Sequence, residues 1–341
     1  MKTIHRRHLL QGSLALAGSA VLSPALTRHA LAQAPQKIRY LTPFGFIFGF
    51  SEVLYGQTGG FFAKQGLDVD VEGGRGSAMA VQQVTAGNTL ISRTGGTDLI
   101  KAYAKDPSIV AVGECYQKDI FYIISHADKP IKSPMDMAGK TIGIVSNGGA
   151  TENLLDMMLV SKNVPIADVR REVVGNAPTA FEFIKLGRID AFMATNDTLF
   201  ALQTDKQPVS AFSADEFAPS PGQVYMVSKK ALEAQTETIA KFMRGGHAAI
   251  GDMIEKRANL LPVIESMTKV FDLSEARRPD KGVSILANAI TTTFEPPFRD
   301  KFASKPGPWE SAYDLMVKAK IITPLNDRGF YNDKARSLAF G

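Results

Sequence analysis

Short apolar runs and longer stretches of helical periodicity take turns along most of the chain. Residues 37–41 (KIRYL) are the first strand-like run. Residues 50–65 read as a helix closed by Gly66, residues 67–71 as a second strand, and residues 77–86 as a helix with Gly87 as its C-terminal cap. Residues 89–92 predict a third strand, 98–104 a helix and 109–112 a fourth strand. A polar, turn-rich passage, 132–140, resets the pattern. Strand 141–145, helix 151–161, strand 169–174, helix 177–186 ending at Gly187, and strand 190–194 follow. Beyond Pro219-Ser220-Pro221-Gly222 the chain turns apolar again at 224–227, and its last third is mainly helical, starting with 230–253. This order predicts an α/β fold whose mostly parallel sheets are covered by helices.

The two passages also echo one another. Residues 84–91 (VTAGNTLI) and 184–191 (IKLGRIDA) share one pattern of helix end, Gly cap, polar residue and strand. Each runs into a Thr-bearing loop, 94–98 and 195–198. Two lobes built on a single plan would produce that pattern.

The first 32 residues stand apart. They hold Lys2, Arg6, Arg7 and Arg28 and no acid, with an apolar run at 9–26 and a small-residue exit at Ala30-Leu31-Ala32. That is the layout of a cleaved export signal, with cleavage near Ala32. The Arg6-Arg7 pair and the modest hydrophobicity favour a twin-arginine address. Gln11, Gly12 and Pro24 interrupt the run, whereas an uncleaved anchor would need about 20 apolar residues.

Removing this segment changes the charge picture. The whole chain carries a formal +5, so loss of those four cations leaves about +1, which does not argue for nucleic acid as a partner. The one cysteine, Cys115, allows no internal disulfide and reads as a buried small hydrophobe. Only His126 and His247 remain outside the leader, and no Cys/His set has metal-ligand spacing. No Gly-x-Ser-x-Gly elbow occurs. Neither a catalytic residue, a metal site nor a cofactor is expected.

In open α/β sheets ligands bind beyond the carboxyl ends of the strands. Five loops stand there. The first, 42–50, sets Phe44, Phe46, Phe48 and Phe50 around two glycines and suits a planar ring or an apolar tail. The second holds Arg75, Gly76 and Ser77; the third holds Arg93, Thr94 and Thr97. Both arginines could neutralise an acid group. The fourth holds Asn147, Gly148, Gly149 and Thr151 at a helix start, where free N–H groups and the helix dipole favour an anionic or electron-rich group. The fifth holds Thr195 and Asn196 before Asp197. Together these loops describe a cleft for a small, anionic or heteroaromatic organic solute.

Three stretches carry a resemblance: 59–69 (GGFFAKQGLDV), 131–146 (IKSPMDMAGKTIGIVS) and 186–191 (LGRIDA). In that order, behind an export signal, they resemble periplasmic solute-binding proteins of ABC transporters, in the group handling alkanesulfonates, taurine, nitrate and thiamine-pyrimidine precursors. The resemblance implies a two-lobed, type II periplasmic-binding-protein-like fold with a hinge and a ligand cleft between lobes. Residues 36–122 and 225–341 would form one lobe and 123–224 the other, with crossings near 121–123 and 223–225. It also implies a monomer, located in the periplasm, that passes its small-molecule ligand to an inner-membrane permease. The aromatic loop at 44–48 departs from that group's pattern and leaves the ligand open. Two other readings remain: an enzyme like that of thiamine-pyrimidine synthesis, whose relatives use a His and a Cys-rich metal segment, or a periplasmic sensory receptor.

Overall fold

The computed structural model describes residues 34–341; the export signal expected at 1–32 lies outside them. Through the first passage the chain runs β1 (Gln36–Thr42), α1 (Ser51–Thr58), β2 (Leu67–Gly73), α2 (Ser77–Thr85), β3 (Ile91–Gly95), α3 (Gly96–Lys105) and β4 (Ile109–Tyr116). The second passage holds β5 (Phe121–His126), β6 (Thr141–Ile144), α4 (Ala150–Ser161), β7 (Arg170–Val173), α5 (Phe181–Lys185), β8 (Ala191–Thr195), α6 (Asn196–Thr204) and β9 (Val209–Ser213). Then come β10 (Gln223–Ser228), α7 (Lys229–Ala234), α8 (Thr236–Glu255), α9 (Leu261–Thr268), α10 (Pro279–Ala289), α11 (Glu295–Arg299), α12 (Pro306–Lys318) and α13 (Lys334–Phe340).

The strands form two five-stranded sheets, ordered β2-β1-β3-β10-β4 and β7-β6-β8-β5-β9. The orders correspond position by position. In each sheet three strands pair in parallel, while one (β10 or β5) runs antiparallel between two others. The chain leaves the first sheet after β4 and returns at β10. The segments between the sheets are therefore 117–120 and 214–222, just ahead of residues 121–123 and 223–225, which are already strand.

The internal echo has a structural basis. Gly87 and Gly187 end their helices at φ 74° and 69°, in the left-handed region where a side chain would be strained. The following amides bond back alike: Asn88 and Thr89 to the Gln83 carbonyl, Arg188 and Ile189 to the Phe183 carbonyl. β3 and β8 then begin four residues past their glycines, and α3 and α6 follow without a gap.

Some elements differ from expectation. The helix expected over 50–65 shrinks to α1, because the chain turns at Gly59 and at Gly60, whose φ is 74°. The helix expected over 230–253 is two, α7 and α8, divided at Gln235 with φ −134°. β9, which the apolar pattern did not signal, adds an edge strand.

Two faces of the first sheet are buried differently. On one, Phe242 of α8 stacks between Tyr40 and Phe62, at 5.4 and 4.8 Å between ring centroids. On the other, a single apolar cluster passes from Leu41 and Val224 through Leu99 of α3 and Trp309, Tyr313 and Met316 of α12 to Leu154 and Ile142 beside the second sheet. α12 therefore joins the cores of the two sheets, which the chain itself links only through 117–120 and 214–222. Burial of this cluster contributes roughly 25 cal/mol per Å2 of apolar surface removed from water.

Candidate functional site

The parallel strands of each sheet aim their carboxyl ends, and hence their loops, at the same end as the connecting segments. The two sets of loops meet. Lys101 of α3 donates to the Gly148 carbonyl at 3.3 Å and to Asn153 Oδ1 at 3.1 Å. Asn196, at the start of α6, donates to Thr292 and Thr293 after α10, at 3.3 and 3.2 Å. Lys281 pairs with Asp205. A Cβ placed on Gly95 would lie 3.9 Å from the Ala150 side chain.

The aromatic loop divides its rings. Phe48 and Phe50 are fully buried in the core. Phe44 and Phe46 are half-buried, packed on Phe50 and Phe271 at 5.2 and 4.9 Å. Gly76 adopts φ 135° and its N–H donates to the Pro43 carbonyl, which ties the second loop to the first. Arg75 is exposed and Ser77 half-buried.

Arg93 is fully enclosed. Nη1 lies 2.6 Å from Glu52 Oε1, and Nε donates to Gln223 at 2.8 Å. The guanidinium also stacks 4.0 Å from the Tyr116 ring centroid. Burial pushes Glu52 up, and the adjacent guanidinium pulls it back. The charge that the sequence reading offered to a ligand acid is met by Glu52 inside the chain. Thr94 and Thr97 are buried beside it, and Thr94 Oγ1 has no partner.

The fourth loop is also largely satisfied from within. The Gly148 N–H donates to the Glu152 carboxylate, and Thr151 Oγ1 accepts from the Val145 N–H at 3.1 Å. Asn147 and Gly148 are exposed, and Gly149 is half-buried. An acid from the first turn of α4 thus occupies a donor that the sequence reading left free for an anion. Thr195 is buried and locked to Asn176, which accepts from its N–H at 2.9 Å and donates to its Oγ1 at 3.1 Å.

What the structure adds is acid. Asp98 stands in the first turn of α3, Asp119 between the sheets, Asp197 in the first turn of α6, and Glu275 on the turn before α10. Glu275 accepts the Phe48 N–H at 2.6 Å. Burial pushes Asp98 and Asp197 up to about 6. It pushes Asp119 and Glu275 up to about 7, and the charge of Asp197 adds to the effect at Glu275. Asp98 Oδ2 and Asp197 Oδ1 are enclosed without any hydrogen-bond partner.

A cavity of about 520 Å3, with Asp119 but none of the other three acids in its lining, opens between α6, the segment 117–120 and the end of α10. Tyr116, Asp119, Tyr122, Asn196, Phe200 and Thr293 are among its walls. Of the residues selected from sequence, Asn196 is the one found in that lining. Asp98 and Asp197 were within the loops read as ligand-facing, but the arginines and hydroxyls drew the emphasis. Asp119 and Glu275 had no local signal.

Comparison with known proteins agrees with this architecture. A 212-residue stretch is 26% identical to a formylaminopyrimidine-binding protein of Halalkalibacterium halodurans, covering 60% of this chain and 62% of that protein. The fold is similar to a protein of Bordetella bronchiseptica RB50, with TM-score 0.68, 16% identity, and 90% and 97% of the two chains covered. It is also similar to the alkanesulfonate-binding protein SsuA of Xanthomonas axonopodis pv. citri, solved with MOPS, with TM-score 0.62, 13% identity, and 85% and 95% covered. At such identities these two structures speak for the fold: two α/β halves of the periplasmic-binding-protein type. Residues 48–259 match the model of the NMT1/THI5-like family, and the chain belongs to that family.

Proposed function

We propose that the chain is the extracytoplasmic solute-binding component of an ABC uptake transporter. It would be exported by its basic, apolar leader, capture a small heteroaromatic solute between its halves, and present the closed form to an inner-membrane permease. The observation that carries this reading is the matched strand order of the two sheets, whose ligand-facing loops meet across two connecting segments. Such halves can shift between open and closed arrangements when a ligand favours one of them. The pyrimidine-binding relative supports a ring-bearing solute, and so do the half-buried Phe44 and Phe46.

Capture without turnover suits the residues present. Cys115 is fully buried, and burial pushes its thiol far up, out of the range of a nucleophile. His247 is packed against Phe298 at 4.3 Å, and burial lowers its pKa.

Titration with formylaminopyrimidine and other amino-substituted heterocycles tests the proposal. One site per chain is expected, with a scattering curve that contracts on binding. Ligand at a hundred times its Kd should add about 2.7 kcal/mol to stability. Chemical conversion of the bound solute by the purified chain would refute it.

A further inference from the structure

The halves meet along two unlike flanks. We propose, resting on the capture reading above, that they part only along α6 and α10, with the flank of α3, α4 and α12 as the pivot, and that Lys281 latches the closed form and sets how long a solute is held.

The pivot flank is apolar and continuous. Leu99 of α3, Leu154 of α4 and Trp309 and Met316 of α12 are buried in one cluster that spans both halves. α12 is also fastened at its two ends to different halves. Near its start, Glu114 of β4 accepts from the Trp309 indole N–H at 2.7 Å and from the Lys305 N–H at 2.9 Å. At its end, Lys318 donates to Asn163, just past α4, at 3.1 Å. Lys101 adds its bonds to Gly148 and Asn153 across the same flank. Parting the halves here would return the shared cluster to water.

The other flank has no shared core. Leu199 and Leu202 of α6 belong to a cluster confined to the second half, and Leu286 and Ile290, in and just after α10, to one whose buried residues all lie in the first. The bonds that cross are an ion pair, Lys281 with Asp205, and those of Asn196 to Thr292 and Thr293 at 3.3 and 3.2 Å. The side chains of Lys281 and Asp205 are 24% and 46% exposed, so water can replace either partner at little cost. The cavity walled by α6, the connecting segment 117–120 and the end of α10 lies on this flank as well. Space already exists where separation would start. A rotation that breaks this set of bonds and keeps the apolar flank packed costs least. Lys281 lies outside the loops read as ligand-facing and outside the cavity lining, so it is a positioning residue that acts on a solute through closure.

Spin labels on the full chain measure each flank without a solute. Cys115 is buried and takes no label. Thr204→Cys with Glu265→Cys, at the end of α6 and on α9 beside α10, spans the latched flank; Lys105→Cys with Lys162→Cys, at the ends of α3 and α4, spans the pivot. All four positions are exposed. Lys281→Ala should lengthen the first distance by more than about 2 Å and leave the second within that margin. Lys281→Arg keeps the charge and should restore the wild-type distance. Emission of Trp309, the one tryptophan in the chain, should be the same in all three proteins. A longer second distance, or an unchanged first one, overturns the proposal. Stopped-flow binding of formylaminopyrimidine supplies the kinetic reading. Dissociation should be about two- to fivefold faster from Lys281→Ala, with association within about twofold of wild type. Salt at about 1 M should speed release from the wild type and not from that variant, because it screens the ion pair. Equal dissociation rates overturn the latch. Absence of formylaminopyrimidine binding counts against the capture reading alone, and the label distances then decide the flank.

Discussion

Replacing Arg93 by Met distinguishes a framework residue from a ligand contact. Arg93 and Glu52 are 0% and 1% exposed at the side chain, with 2.6 Å between Nη1 and Oε1. The pair is further tied by Gln223 at 2.8 Å, the Gly49 carbonyl at 3.1 Å and the Tyr225 hydroxyl at 3.2 Å. Methionine fills much of the same volume but leaves Glu52 as a charge without a counterpart in a dry interior. Breaking a buried pair in this way costs about 3–5 kcal/mol. At roughly 2–4 °C per kcal/mol, the melting temperature should fall by about 6–20 °C. Adding Glu52→Gln to Arg93→Met removes the stranded charge, so the double variant should regain part of that loss. Urea unfolding of wild type, both single variants and the double variant closes the cycle and yields a coupling of at least about 2 kcal/mol. Solute affinity of the folded fraction of the Arg93 variant should stay within about twofold of wild type. An Arg93→Met protein with wild-type stability and abolished solute binding would refute the reasoning, because it would place the guanidinium on the ligand.

Two further outcomes are expected. Asp98 and Asp197 titrate in the folded protein near 6, and Asp119, Glu275 and Glu114 near 7, all above their ordinary values. The folded state therefore holds more protons than the unfolded chain between about pH 4 and 7. The resulting stabilisation is complete below pH 4 and is lost as pH rises through 6 to 7. The unliganded protein should accordingly melt higher at pH 5 than at pH 8, and a thermal scan showing the reverse would contradict the burial of these acids. Gly222→Ala should misfold: its Cβ would sit 2.0 Å from the Lys118 carbonyl oxygen. The backbone there cannot yield, since Gly222 N–H donates to Tyr116 at 3.1 Å and its carbonyl accepts from Gly96 at 3.0 Å. A loss above about 3 kcal/mol is expected from overpacking, against little or none for Gly307→Ala, whose Cβ meets no atom within 4 Å. Soluble yield and urea midpoints of the two variants check the contrast.

Several parts of this protein were legible in its residues alone, because their causes are local. Gly87 and Gly187 cap helices wherever they are placed, since only a residue without Cβ takes φ near 70° freely. Leu67 to Val71 alternates because one face of β2 is covered and the other is wet; Leu67, Val69 and Val71 are buried and Asp68 and Asp70 exposed. The repeat offset of one hundred residues announced two halves of one plan, and the sheets carry it out strand for strand. β9 escaped notice because its five residues, VSAFS, are mostly half-exposed on a sheet edge and show no clear alternation.

Charge pairing was a different matter. Arg93 and Glu52 are 41 residues apart and meet only because the fold brings the end of β3 to the start of α1. From sequence each was a free charge, and Arg93 looked available to a ligand. Gly148 looked like an open donor until Glu152 folded back on it. Conversely, Asp98, Asp119, Asp197 and Glu275 are scattered over 178 residues from first to last. No local pattern links them. Periodicity, caps and turns depend on near neighbours along the chain, so sequence determined the elements and the two-part plan. Which charges cancel and which acids are enclosed without a partner depends on distance in space, and that was decided only by the tertiary fold.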